Sequence, residues 1–509
     1  MIKKSIIYIS VVLLSIFIQS CEKDVLDEQV ITAIDVTPLL WKPVSTTEAT
    51  SSKWNKYGNN VISDAGKFVK IDIKNNTQGG REAQGAYLHL DKIADFLKQE
   101  ADNKNYKITF TAYVLNGNKK SAVLIRNESN PLTDKQYLTA EPKEYIFKRA
   151  NTFDTKMFIR FTDLPKGAIL YISKDIKIEQ MADREYIQPF DKPFKGGTLD
   201  MSLATTQQDD INIAFQDLSE AGAKYIRIQA NPNKTMNGFN KTQYLDDIIS
   251  RFNSDYLPLI QQYSMKVIFA MENIPYDTQA LKDKLSAGYW QAPETKQNFI
   301  DTAAHISNAF KNTGDIFALQ FMSEPVGDGD VMPEEWIEIS QAVIDTVRVN
   351  DSQKYIVWSG GVWGLAKYEL VVPFDDDKII YNFHEFKPNL YTHQGVSGNP
   401  LDVVYQGNGG IAYDFSNIDS FRQRNNNIPI MCGSYTLANW ISDADLWFND
   451  VENELTSRGV SSIYFATNQY QAWDWRYIGT KDGDNSLVYK YDLTSNNKLW
   501  TILSEYWKR

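Results

Sequence analysis

The run Ile316-Phe317-Ala318-Leu319-Gln320-Phe321-Met322-Ser323-Glu324-Pro325 decides how this chain folds. It is an apolar stretch of strand length closed by a carboxylate and a proline, with helical texture before it (Glu294–Lys311) and after it (Pro333–Val349). A buried strand between two amphipathic helices is the repeating unit of a parallel sheet covered by helices. Working outward, the same alternation gives eight apolar strands: Thr198–Leu203, Tyr225–Ala230, Lys266–Glu272, Ile316–Ser323, Lys354–Ser359, Ile379–Phe386, Ile428–Ser434 and Ser461–Thr467. Asp210–Ala221 and Ala444–Arg458 are further helical stretches. Eight such units predict an α/β fold, a (β/α)8 TIM barrel over 193–509, and that architecture puts chemistry at the C-terminal strand ends.

Residues 41–182 have another texture. Phe68–Ile73, Tyr106–Tyr113, Met157–Phe161 and Ile169–Ile172 alternate apolar and polar side chains, with turn clusters at Asn116-Gly117-Asn118 and Pro165-Lys166-Gly167 between some of them. Period-two alternation with such turns predicts an all-β sandwich preceding the barrel. Its strand order resembles the jelly-roll carbohydrate-binding modules of the family 4/9 type, which implies an all-β jelly-roll sandwich. That resemblance implies a sugar ligand, and a spacer sandwich without ligand remains the other reading.

The N-terminus reads as a targeting segment. Lys3 and Lys4 precede an apolar run from Ile6 to Ile18, too short to span a bilayer comfortably, so 1–20 is expected to be a signal peptide. Ile18-Gln19-Ser20-Cys21 resembles a bacterial lipobox, which implies cleavage before Cys21 and a lipid on it. The polar stretch 21–40 is then a tether. Its acidic start (Glu22, Asp24, Asp27, Glu28) resembles the export signals of surface lipoproteins in Bacteroidetes-type bacteria. The expected location is the outer membrane, on the cell surface, with the lipid as membrane contact.

The 509 residues suit two or three domains at roughly 100–200 residues each. With 43% hydrophobic and 23% charged residues the chain can build a large core. A net charge of −11 and the lack of a basic block argue against nucleic acid as a partner. The two cysteines are Cys21 and Cys432, so lipidation of the first leaves no internal disulfide. Four histidines (His89, His305, His384, His393) without a His/Cys grouping predict no metal site, and no glycine-rich phosphate loop points to a cofactor. The 12 Trp, 28 Tyr and 25 Phe supply core, and flat rings are also what stacks on sugars. Trp358, Trp363, Trp440, Trp473 and Trp475 fall near strand ends.

At those ends the first ionisable group after strand four is Glu324, a general-acid candidate. Strand two carries Arg227 between Ile226 and Ile228, and strand six runs into His384-Glu385-Phe386-Lys387-Pro388 and then Tyr391-Thr392-His393-Gln394-Gly395. This ordered set resembles glycoside hydrolase family 5, the cellulase-like clan, over about Gly196 to Arg509. The resemblance implies two glutamates, one after strand four and one after strand seven, about 5 Å apart in a retaining mechanism. Glu324 takes the acid/base place. The nucleophile place falls in Pro429-Ile430-Met431-Cys432-Gly433-Ser434-Tyr435, where Ser434 stands instead of glutamate. A neutral hydroxyl cannot stabilise an oxocarbenium-like transition state unaided.

Other positions depart as well. Ser323 replaces the family's asparagine, Glu272 stands near its usual histidine, and strand eight ends Phe465-Ala466-Thr467-Asn468 without the platform tryptophan. Arg227, Ser323, His384, Phe386, His393, Trp473 and Trp475 are the expected substrate-binding set. Two functional readings follow: a surface protein that holds polysaccharide or oligosaccharide beside other glycan-utilisation proteins, or a hydrolase in which Glu272 supplies the second carboxylate opposite Glu324. A purely structural role is the third. Glu385 alternates with His384 and is expected to face away from the pocket.

Overall fold

The computed structural model describes residues 41–508, apart from 57–58, 75–85, 91–102, 128–135, 152–156, 202–207, 287–292, 326–334, 361–363, 365, 367, 369–370, 397 and 482–486. The expected signal, Cys21 and the whole tether lie outside the described residues. Every described residue belongs to one compact unit.

Two antiparallel sheets come first. One runs β1 (Trp41–Glu48), β12 (Asp175–Met181), β6 (Lys104–Leu115), β11 (Ile169–Ser173), β4 (Phe68–Asp72), β3 (Val61–Ala65), with β9 (Lys143–Asn151) also on β6. The other runs β2 (Asn55–Lys56), β5 (Ala86–His89), β10 (Met157–Thr162), β7 (Ala122–Asn127), β8 (Gln136–Tyr137). Alternation decides the faces: in β4 and β11 every second residue is buried. The buried set, including Val69, Ile71, Ile108, Phe110, Phe147, Ile159 and Leu170, forms one core. Two turns use left-handed backbone, at Asn116 (φ 54°) and Gly167 (φ 88°).

Eight parallel strands then close a barrel in chain order: β13 (Lys195–Asp200), β14 (Tyr225–Ala230), β15 (Lys266–Met271), β16 (Ile316–Gln320), β17 (Tyr355–Ser359), β18 (Ile379–Glu385), β19 (Ile430–Tyr435) and β20 (Ser461–Thr467). Among the helices between and after them are Gln208–Ala221, Pro293–Phe310, Trp336–Asn350, Gly409–Arg424, Ala444–Ser457 and Lys498–Trp507. All eight expected strands are present. The first starts three residues before the expected range, because Gly196 and Gly197 belong to it. Glycine weakens a strand signal, yet a Cβ on Gly196 would stand 1.7 Å from the Tyr225 carbonyl oxygen. A hairpin of β21 (Tyr477–Lys481) and β22 (Leu487–Tyr491) follows the last barrel strand.

The barrel interior is layered. Phe194, Ile268, Ala318, Val357, Ile380, Met431 and Ile463 form an apolar floor. Moving toward the C-terminal ends, the inward positions turn polar: Thr198, Arg227, Gln229, Gln320, Ser359 and Asn382 are all buried. Ile226 and Ile228, alternating with Arg227, pack instead with the helix core. A polar seam joins sandwich and barrel: Asn105 Nδ2 donates to Asn425 Oδ1 (2.7 Å), Arg424 Nε donates to Asn105 Oδ1 (3.1 Å), and Lys148 pairs with Asp375 (3.0 Å).

Candidate active site

Arg227 projects from β14 into the barrel and is 2% exposed. One guanidinium nitrogen donates to the Gly433 carbonyl at 3.1 Å and another to the Ser323 hydroxyl. It therefore braces the end of β16 against the end of β19. Burial pushes its pKa down to about 10, while the negative charges of Glu272 and Glu324 pull it back up. The group stays cationic at neutral pH, between two carboxylates.

Beyond Ser323, Glu324 leaves the strand end with its side chain 36% exposed, and its Oε1 lies 2.9 Å from His384 Nδ1. His384 is 1% exposed. Its other ring nitrogen, Nε2, lies 3.2 Å from Asn382 Nδ2, and that amide also donates to Ser359 Oγ at 2.8 Å. Gly364, in left-handed backbone (φ +68°), lies so close that a Cβ would come within 2.5 Å of the His384 ring.

Ser434 is register partner to His384 across the β18/β19 ladder, where the pairing shifts by one residue. It is buried and neutral where the family resemblance calls for a carboxylate. The nearest acidic groups on that side do not replace it. Glu385 is fully buried behind β18, accepts from the Lys387 amide (2.8 Å), and is raised well above the usual carboxylate range by burial and then by Asp414. Glu452 is equally buried, bonded by Tyr435 (2.8 Å) and ion-paired with Lys195. Both lie between the sheet and its helices, so Glu385 does face away from the pocket.

On the other flank, Glu272 follows β15 and its Oε2 accepts from Asn231 Nδ2 at 2.8 Å. Beside it stands a residue the sequence reading passed over. Asp200 ends β13, is 6% exposed, and pairs with Lys234 at 3.5 Å. Burial pushes its carboxyl up to about 6; Lys234 opposes the shift and Glu272 adds to it. Its Oδ1 has no hydrogen-bond partner among the described residues. Like Glu324, it is the first ionisable group after an apolar run, and that was the available signal.

Aromatic rings form an arc along the rim. Phe386 is edge-on to His384 (centroids 5.8 Å) and to His393 (5.4 Å), and His393 reaches Trp473 at 5.0 Å. Trp473 continues to Phe465 (5.8 Å) and Tyr470 (5.7 Å), with Lys234 Nζ 4.4 Å over the Tyr470 ring. Burial lowers the His393 pKa, with Glu324 opposing, so the imidazole is neutral at physiological pH. Phe465 supplies a ring near the place where the platform tryptophan was missed, and it and Tyr470 were not singled out from sequence.

Trp475 corrects the expected set. It is fully buried, donates to Thr467 Oγ1 (2.8 Å), and stacks on Trp500 (5.5 Å, 12°) in front of Trp507. Both of its apolar faces serve the core beneath helix Lys498–Trp507. Trp358 is likewise buried, bonded to Ser340 at 2.8 Å, whereas Trp440 is half-buried against Tyr489 of the hairpin. Trp363 lies outside the described residues. Among the described residues no group of three or more His, Cys, Asp or Glu could hold a metal ion.

Comparison with known proteins gives one family. The model of the cellulase family, glycosyl hydrolase family 5, matches residues 188–471. Endoglucanase 3 of Fibrobacter succinogenes is 28% identical over 168 residues, 31% of this chain and 24% of that protein. Endoglucanase C of Acetivibrio thermocellus is 20% identical over 213 residues, 42% of this chain and 60% of its own length. Cellodextrinase A of Ruminococcus flavefaciens is 20% identical over 261 residues, 48% and 75% respectively. The matches thus span less than two thirds of the two endoglucanases. Among solved structures, Thermotoga maritima Cel5A with cellobiose has a TM-score of 0.46 at 17% identity, covering 63% of this chain and 98% of that one. The cellulose synthase subunit Z of Clostridioides difficile gives 0.47 at 15%, covering 61% and 99%.

Proposed function

The chain belongs to the cellulase family, glycosyl hydrolase family 5, and from that premise we propose that its barrel mouth binds glycan and hydrolyses it little or not at all. The observation that carries this reading is Ser434 opposite His384. Around it stand the Glu324–His384 pair, the buried Arg227 brace and the aromatic arc from Phe386 to Trp473, which support a sugar cleft. A retaining mechanism needs a second carboxylate about 5 Å from the first. At the end of β19 there is a hydroxyl. The endoglucanase and cellodextrinase relatives point to a β-glucan chain as the ligand.

A second reading rests on Glu272. Its charge and that of Glu324 both act on Arg227, so two carboxylates flank one guanidinium at the mouth. If they act together, an inverting reaction through an intervening water is the outcome. Product release from polysaccharides separates the two: release abolished by Glu324→Gln and by Glu272→Gln supports hydrolysis, while retardation in an affinity gel without release supports binding.

In the same reading the protein is a surface lipoprotein held by Cys21, with the sandwich as a carbohydrate-binding accessory, positioned to work beside other glycan-utilisation proteins. The support is the sequence Lys3-Lys4, Ile6 to Ile18 and Cys21. Cys21→Ser should move the protein from the membrane to the soluble fraction. Unchanged fractionation contradicts the anchor.

A further inference from the structure

Three polar side chains on successive inward strands lead to the Glu324–His384 pair. Gln320 Nε2 on β16 donates to Ser359 Oγ on β17 (3.1 Å), and Asn382 Nδ2 on β18 donates to the same oxygen (2.8 Å). The same Nδ2 faces His384 Nε2 at 3.2 Å. An amide NH2 can only donate, so Nε2 must offer its lone pair, and the single ring proton then sits on Nδ1. Nδ1–H donates to Glu324 Oε1.

The amide holds this orientation at a cost. Asn382 Oδ1 is buried and has no hydrogen-bond partner among the described residues, whereas Nδ2 serves two acceptors. A buried polar atom left unmatched needs an explanation: the Glu324 carboxylate holds the single ring proton on Nδ1, so Nε2 needs a donor, and turning the amide over would set Oδ1 against that lone pair. The surroundings leave room for this amide and little else. A Cβ at residue 433 would stand 1.9 Å from Asn382 Oδ1, so Gly433 is required where it is. Behind the strand, Tyr368, fully buried, donates its hydroxyl to the Asn382 carbonyl and fixes the backbone at that point.

We propose that Asn382 is a positioning residue that fixes the Nδ1–H tautomer of His384 and so keeps Glu324 at the mouth as a hydrogen-bond acceptor for a sugar hydroxyl. The link to sugar rests on the function proposed above; the tautomer does not. With Nδ1–H pointing at it, Glu324 Oε1 is occupied and oriented, and Oε2 is left to face the cleft. Groups around the imidazole from each packed element are Glu324, Asn382, Gly364 and Phe386, with Ser434 as its register partner. The one ionisable group among these is Glu324. Replacing the amide by a carboxylate removes the donor and adds an acceptor: Asn382→Asp should bring a proton to Nε2 and make His384 an imidazolium.

The chain has four histidines, so nitrogen NMR of the full protein with labelled histidine gives a resolvable spectrum, with His384→Gln identifying the signal. The expected result is an unprotonated Nε2 and a protonated Nδ1 in the wild type. In Asn382→Asp both nitrogens carry a proton. A wild-type spectrum with the proton on Nε2 overturns the proposal even if Asn382→Asp fails to fold. A folded Asn382→Asp whose Nε2 stays unprotonated also overturns it. If no glycan binds the wild type while the tautomer is as stated, the function proposed above fails and the role of Asn382 stands.

Discussion

The ends of β16 and β19 meet at Arg227 and differ in one chemical respect. Each contributes an oxygen to the guanidinium, the Ser323 hydroxyl on one side and the Gly433 carbonyl on the other. Just past that contact, β16 puts out Glu324, held by a histidine, and β19 puts out Ser434, buried and neutral. On the function proposed above, such a cleft, with its bracing kept on both sides and its charge on one, holds a chain of sugars more than it cleaves it.

Breaking the brace has the largest expected effect. Arg227→Met unmakes two hydrogen bonds from a buried cation, to the Gly433 carbonyl and the Ser323 hydroxyl, and hydrogen bonds to charged groups are worth about 1.5–3 kcal/mol each. Denaturant unfolding should show that loss together with loss of glycan retention. A change below about 1 kcal/mol would mean the two strand ends hold without it.

Two neighbouring tryptophans sharpen the comparison, because one lines the mouth and one supports it from behind. Trp475→Ala opens a cavity under Trp500 and should cost about 3–5 kcal/mol in stability. Trp473→Ala, at a half-buried ring, should leave the melting temperature nearly unchanged and weaken glycan retention about tenfold. The reverse pattern would place the sugar surface inside the core and end the assignment of the arc.

The smallest expected effect is a pH dependence. The Asp200 carboxyl rises from 3.8 to about 6 in the folded chain, so the native state holds that proton more tightly than the unfolded state. Stability from this group is full below about pH 4 and declines as pH climbs toward 6, by about 2 kcal/mol. Asp200→Asn should flatten the melting temperature across that window. An identical slope in the variant would show that another group titrates there.

Strands made of uninterrupted apolar or β-branched residues were legible in sequence: Tyr225–Ala230 and Ser461–Thr467 have the expected bounds. The start of β13 was hidden by Gly196 and Gly197, since glycine signals a turn locally and only the approach of Tyr225 explains it. The short β8 and the β21–β22 hairpin carry too little pattern to be read. At the mouth, Arg227, Glu324, His384, Phe386, His393 and Trp473 are brought together. Trp475 could not be told from Trp473, because two residues of spacing say nothing about which ring a C-terminal helix will cover. Asp200 was overlooked for a related reason: its chemistry comes from burial beside Lys234 and Glu272, which only the folded barrel supplies.

The most direct test compares product release from β-glucans by the wild type, Glu324→Gln and Ser434→Glu. If β19 lacks only the charge, the wild type and Glu324→Gln release nothing, and Ser434→Glu gains hydrolysis that a further Glu324→Gln removes. Release by the wild type that Glu324→Gln abolishes would contradict the account and make the protein a working glycoside hydrolase with its second carboxylate elsewhere.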